Sequence, residues 1–135
     1  MSSSAEFVAH CMDLLAAQGR PRARRMFGGH GLYIDDLFVA LIIEERLYLK
    51  ADEQARPAFE QAGSEPFGYA TRNGRRTVLA YWSVPDDAME SPALMQPWAR
   101  LAMASALRAA NAKHPAPQAK AAAARRQARA SPRRG

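Results

Sequence analysis

A two-layer α+β domain built on an antiparallel sheet is what the sequence predicts, and three observations predict it. Apolar residues recur at helical spacing near the N-terminus and again after Pro97. Between those stretches the pattern changes to short β-rich runs. The runs are separated by polar breaks of hairpin length, which favour antiparallel neighbours. A sheet of this kind buries its apolar face most simply under helices laid on one side.

The elements follow in order. Ser3 and Glu6 have capping-box spacing, and Phe7, Val8, Cys11, Leu14 and Leu15 mark an apolar helical stripe that stops at Gly19, predicting a helix over about residues 4–17. The basic segment Arg20–Arg25 then leads out of the helix into Met26-Phe27-Gly28-Gly29-His30-Gly31. Gly31–Ile34, Leu37–Ile43 and Leu47–Leu49 read as three strands of a meander, with Asp35-Asp36 and Glu44-Glu45-Arg46 as the turns. A short helix is expected over Pro57–Ala62, with proline in its first turn and Gly63 as its stop. Phe67–Ala70 and Thr77–Val84 form the last hairpin, signalled by Asn73-Gly74. A final alanine-rich helix is expected from Pro97 to Ala110, because proline belongs in the first turn. The expected order is α-β-β-β-α-β-β-α.

Charge divides the chain. Residues 1–112 carry 12 basic and 13 acidic side chains, whereas residues 113–135 carry Lys113, Lys120, Arg125, Arg126, Arg129, Arg133 and Arg134 and no acid. That tail has no Leu, Ile, Val, Phe, Tyr or Trp to bury, so 1–112 is expected as the folded domain and 113–135 as a disordered basic extension. Two readings of the tail stand side by side. It is an arm whose cations contact nucleic-acid phosphates and release counterions, or it is a solvated tail. A membrane surface is disfavoured because no apolar anchor accompanies the charges.

A single cysteine excludes an internal disulfide framework, and three histidines cannot build a dense zinc cluster. The longest apolar run, Leu37–Ile43, is far shorter than the ~20 residues of a membrane-spanning helix, and no signal-peptide pattern opens the chain. The expectation is a cytoplasmic protein without cofactor or metal.

Few residues suggest chemistry. The Gly28-Gly29-His30-Gly31 run opens a strand and lacks the spacing of a phosphate loop, so it is read as a tight turn or bulge. His30 and Cys11 are the remaining candidates for an enzyme, but each lacks a partner nearby in sequence; Cys11 falls on the apolar stripe of the first helix. Asp35 and Asp36 read as turn residues, and Arg72, Arg75 and Arg76 as a charged hairpin tip. Trp82, Trp98, Tyr81 and Phe67 are expected in the core or at a subunit interface rather than as base-stacking platforms.

The stretch from Arg25 to Asp35, with Leu37–Leu41, Leu47–Asp52, Ala62–Tyr69 and the Pro97-Trp98 helix start, closely resembles the TfoX/Sxy N-terminal domain family over roughly residues 5–110. The resemblance implies an α+β domain similar to the secretion-chaperone-like fold, with Met26, Phe27, Gly28, Gly29, Gly31, Leu32 and Tyr33 as a structural motif. It also implies regulation of natural competence, since full-length members act with the cyclic-AMP receptor protein at promoters. Here a basic tail stands where two-domain members carry a helical C-terminal domain. The expected function is a non-enzymatic regulatory or interaction domain, with a protein partner such as a transcription factor and a nucleic-acid-binding tail. The alternative is a partner-binding or homodimerising module in which the tail plays no part.

Overall fold

The computed structural model describes residues 4–26 and 28–113. Helix α1 (Ala5–Leu15) is capped by Ser4 rather than Ser3: the Ser4 Oγ accepts the Phe7 N–H at 3.1 Å. The carboxylate of Glu45, from a distant hairpin, accepts both the Ser4 N–H and, at 3.1 Å, the Ser4 hydroxyl. A tertiary contact thus does what the acid of a capping box does locally, which is why the cap lies one residue later than the sequence pattern suggests. A 3-10 turn, Ala16–Gln18, continues α1 and ends at Gly19.

The segment expected to be a basic exit from the helix is a strand, β1 (Pro21–Met26). Its proline sits at the first position of an edge strand, where no ladder N–H is missed. Arg22 and Arg24 alternate with Ala23, which alone packs on the core, and arginines along an edge discourage pairing with other chains. The remaining strands are β2 (Gly29–Ile34), β3 (Leu37–Ile43), β4 (Arg46–Lys50), β5 (Pro66–Thr71) and β6 (Gly74–Ser83). All pair antiparallel in the order β1-β2-β3-β4-β6-β5, so the sheet has six strands where five were expected.

Met26 pairs with Gly29, leaving a two-residue link in which Gly28 takes φ +77°. The next two hairpins turn at Asp35-Asp36 and Glu44-Glu45, all four with φ between 49° and 68°. That left-handed pair of conformations matches the twist of two-residue hairpins and is tolerated by aspartate, but is costly for Glu44 and Glu45. In the last hairpin Thr71 pairs with Gly74, so Arg72 and Asn73 form the link and Gly74, at φ +120°, opens β6.

Helix α2 (Arg56–Gln61) has proline in its first turn, as expected. Helix α3 (Pro92–Lys113) begins five residues earlier than expected and carries Pro97 inside it. Ser91 caps it, its Oγ accepting the Leu94 N–H at 3.2 Å and its carbonyl the Met95 N–H at 3.0 Å. Pro97 forfeits one backbone bond, to Ala93, and both residues are exposed, so water can serve the freed carbonyl.

All three helices cover one face of the sheet. Leu32, Ile34, Ala40, Ile42, Leu47 and Leu49 from the strands meet Val8, Cys11, Leu14 and Leu15 of α1 and Met95, Ala99, Ala102 and Ala106 of α3. The alanines of α3 recur at three- and four-residue spacing, which lets that helix lie close to β3 and β4. Asp52, at the end of β4, holds α3 in place: its N–H donates to the Ser105 Oγ at 3.2 Å, and its carboxylate takes Arg108 in both directions, Nε at 2.5 Å and Nη2 at 2.8 Å. Those bonds from Arg108 hold the Asp52 carboxyl down at about 2.

Candidate functional site

The opposite face of the sheet has no helix on it, and side-chain alternation decides what it carries. Tyr33 pairs with Arg22 and Phe38, Leu41 with Tyr48, and Lys50 with Tyr81, so these residues share one face. The rings touch in two runs. Tyr33 lies 5.1 Å from Phe38, which lies 5.9 Å from Tyr81; Tyr48 lies 5.0 Å from Phe67, which lies 5.9 Å from Tyr69. All four tyrosines of the chain are therefore on this face, and both tryptophans are on the helix-covered side, Trp82 buried on β6 and Trp98 on α3, 5.1 Å from Phe59. Tyr81 and Phe67, expected with the tryptophans in the core or an interface, stand on the helix-free face.

Cations are interleaved with the rings. The Arg22 guanidinium lies 4.7 Å from the centre of Tyr33, that of Arg46 5.5 Å from Tyr48, and the Lys50 ammonium 5.1 Å from Tyr81. Lys50 also donates to the Tyr81 hydroxyl at 3.4 Å, and burial, with a smaller contribution from Tyr33, pushes the Tyr81 phenol up to about 12. Arg24 and Arg76 join the same face through their pairing with Gly31 and Tyr69. Two acids border it: Asp36 meets Arg22 at 3.4 Å and Glu65 meets Arg46 at 3.2 Å. Both acids are well exposed, so these pairs are weak and exchangeable.

The glycine motif shapes the face. A Cβ on Gly31 would stand 2.6 Å from both the Met26 methyl and the Phe38 ring, so its absence lets those side chains meet over β2. Met26, Leu41, Ile43, Phe67 and Tyr69 line an apolar cleft of about 490 Å³ beside the rings. Leu32, between Gly31 and Tyr33, points the other way into the core.

The other candidates do not assemble. Cys11 is buried, and burial above all, with the Glu45 charge second, pushes its thiol up to about 12, leaving no thiolate at neutral pH. His30 stands between Arg25 and Ile42, and its Nδ1 has no hydrogen-bond partner among the described residues, so no carboxylate holds that nitrogen as it would in a catalytic base. His10 donates Nε2–H to the Met89 carbonyl at 2.8 Å. Asp35 accepts the Arg20 N–H at 2.9 Å as a turn residue. Among the described residues no three His, Cys, Asp or Glu side chains are grouped to hold a metal, and no helix is long and apolar enough to cross a membrane. Lys113 is the last residue of α3, whereas Phe27 and the tail residues Lys120, Arg125, Arg126, Arg129, Arg133 and Arg134 lie outside the described residues.

Comparison with known proteins agrees with this architecture. Over 75 residues the chain is 33% identical to DNA transformation protein TfoX1 of Aliivibrio fischeri, a match covering 56% of this chain and 35% of that protein. The chain thus spans about a third of the length of that relative. It is also 28% identical over 92 residues to an uncharacterised 12.7 kDa protein encoded in the trpE 5′ region of Spirochaeta aurantia, covering 68% of this chain and 74% of the relative. The TfoX N-terminal domain model matches residues 13–106, which include every strand and the first two thirds of α3, and the chain belongs to the TfoX N-terminal domain family.

Proposed function

We propose that this chain is a non-enzymatic regulatory module that acts in the control of DNA-uptake competence, or of transcription linked to it. In this reading the folded body supplies specificity by docking a protein partner such as a transcription factor, and the cations from Lys113 to Arg134 add sequence-blind attraction to phosphate. The observation that carries the proposal is the family match over residues 13–106, together with a relative whose name assigns it to DNA transformation. The unreactive environment of Cys11 supports a role by contact rather than by covalent chemistry.

Deletion of the gene from its host tests the regulatory half: transcripts of DNA-uptake genes should fall, and unchanged transcripts would refute it. Titration of labelled duplex DNA tests the tail. The full chain should bind with a steep salt dependence, losing about 0.9 of a logarithmic unit of affinity per tenfold rise in salt for each phosphate contacted. Replacing the seven tail cations with glutamine should remove that dependence.

A further inference from the structure

We propose that the helix-free face of the sheet binds single-stranded nucleic acid, stacking bases on Tyr33, Phe38, Tyr48 and Tyr81 while Arg22, Arg24, Arg46 and Arg76 meet the phosphates. The site is separate from the tail and does not depend on the competence assignment.

Four observations converge on it. First, the rings form two contacting runs across the sheet, from β2 to β6 and from β4 to β5, each long enough for successive bases. Second, three of the four tyrosines already have a cation over or beside the ring, the pairing of flat π-surface and positive charge that sequence-tolerant single-strand binding uses. Third, the acids that border the face, Asp36 and Glu65, are held in exposed pairs that a phosphate can replace at little cost. Fourth, the Met26–Tyr69 cleft is apolar and open beside the second run of rings, a receptacle for a base turned off the stack.

Charge selects this occupant over a second copy of the chain. A two-fold dimer through this face would set Arg22, Arg24, Arg46 and Arg76 against their own images, with Asp36 and Glu65 already engaged by Arg22 and Arg46. The rings select a single strand over a duplex. A duplex offers phosphates but keeps its bases stacked on one another, leaving the rings with nothing to cover them.

The experiment uses the full chain in four forms: unaltered, with the seven tail cations replaced by glutamine, and that tail variant carrying either Tyr33→Leu with Tyr48→Leu or Tyr33→Phe with Tyr48→Phe. Each is titrated with labelled oligouridylate, oligothymidylate and a mixed-sequence duplex of equal length, followed by anisotropy. The tail variant should retain single-strand binding and prefer it to duplex by about tenfold or more. The leucine pair should weaken strand binding by about tenfold or more, and the phenylalanine pair should preserve it, because stacking needs the ring. Binding of either strand supports the proposal, and the tighter of the two tells RNA from DNA. Equal affinity for duplex and strand, or an undiminished leucine pair, would overturn it. So would dimerisation of the unaltered chain that the leucine pair abolishes in sedimentation. Should the leucine pair unfold, photocrosslinking of 4-thiouridine-substituted RNA to the unaltered chain decides the matter: adducts on Tyr33, Phe38, Tyr48 or Tyr81 support the face, and adducts confined to the tail refute it.

Discussion

Gly29 and Gly31 sit two residues apart on one strand, and the structure makes opposite forecasts for the same small change at each. Neither has positive φ, so alanine at either position gains about 0.5–1 kcal/mol of backbone preference, and any loss must come from contacts. At Gly31 the new methyl would meet the far ends of two side chains, the Met26 methyl and the Phe38 ring, each at 2.6 Å. Those ends can rotate toward solvent on the helix-free face, and overpacking of that kind costs about 1–3 kcal/mol, leaving a net loss near 1 kcal/mol. At Gly29 it would stand 2.1 Å from the Ile42 carbonyl oxygen and 2.7 Å from the Ile43 side chain. A backbone carbonyl cannot step aside, so β2 must draw away from β3 where His30 pairs with Ile42. Each ladder bond lost there is worth about 1 kcal/mol, and each buried group left unpaired costs about 1–3 kcal/mol more, so Gly29→Ala should lose about 3 kcal/mol or more.

Urea unfolding followed by the fluorescence of Trp82 and Trp98 measures both variants. Double variants separate the causes. Met26→Ala should recover at least half of the loss in Gly31→Ala, whereas Ile43→Ala should recover only a minor part of the loss in Gly29→Ala. A Gly29→Ala protein within about 1 kcal/mol of the parent, or one restored by Ile43→Ala, would refute the assignment of the cost to the carbonyl.

Cys11 should resist a thiol reagent in the native protein and react fully once urea unfolds it; rapid labelling of the folded chain would contradict its burial. Because its folded thiol is raised to about 12 from 9.0, only the unfolded chain ionises above pH 9, so Cys11 lowers stability as pH rises from there, and Cys11→Ala should lose less between pH 9 and 11 than the parent. Asp52 has the opposite sign. Its carboxyl, lowered to about 2, supports folding above the ordinary carboxylate range, and that support disappears as pH falls from 4 toward 2. Urea midpoints of Asp52→Asn and parent should therefore differ most near pH 6 and converge near pH 2; parallel curves would show that Arg108 contributes nothing. Glu44, at φ +51° with Glu45 and not itself at the Ser4 cap, should give a chain more stable by about 0.5–1 kcal/mol as Glu44→Asn, read as a higher melting temperature.

The parts of the fold legible in the sequence are those where one signal suffices. Leu37–Ile43 is bounded on both sides by acidic pairs that can only turn, and the strand appears with those bounds. Strand β1 was hidden because its inward face is one small residue, Ala23, among arginines whose charge reads as linker. The start of α3 was hidden by Pro97: a proline tolerated one turn inside a helix looks, in sequence, like a proline that starts one. Ser4 caps α1 through Glu45, a partner 41 residues away that no local pattern can supply.

The candidate site was obscured for a different reason. β3 is apolar on both faces, and periodicity alone cannot tell which face the helices take. Residue type carries the missing information. Leu32, Ile34, Ile42, Leu47 and Leu49 have no polar atoms and face the helices, whereas the four tyrosines, whose hydroxyls need water or a partner, all face away. Sorting strand residues by that difference would have separated Tyr81 from Trp82 although they are adjacent in sequence.

Strand β2 joins the two layers in six residues, and its alternation keeps their duties apart. Leu32 and Ile34 are fully buried under the helices and hold the domain together, while Gly31 and Tyr33 act only on the open face, one by leaving room for Met26 and Phe38, the other by presenting its ring beneath Arg22. Removing the Tyr33 ring forfeits one half-buried ring contact and one exposed cation pair, a loss of about 1–2.5 kcal/mol, whereas truncating Leu32 opens a cavity worth about 2–5 kcal/mol. Neighbouring residues thus divide stability from recognition. A chain altered at Tyr33 should stay folded with its outer face impaired, which is the condition for testing that face without losing the domain.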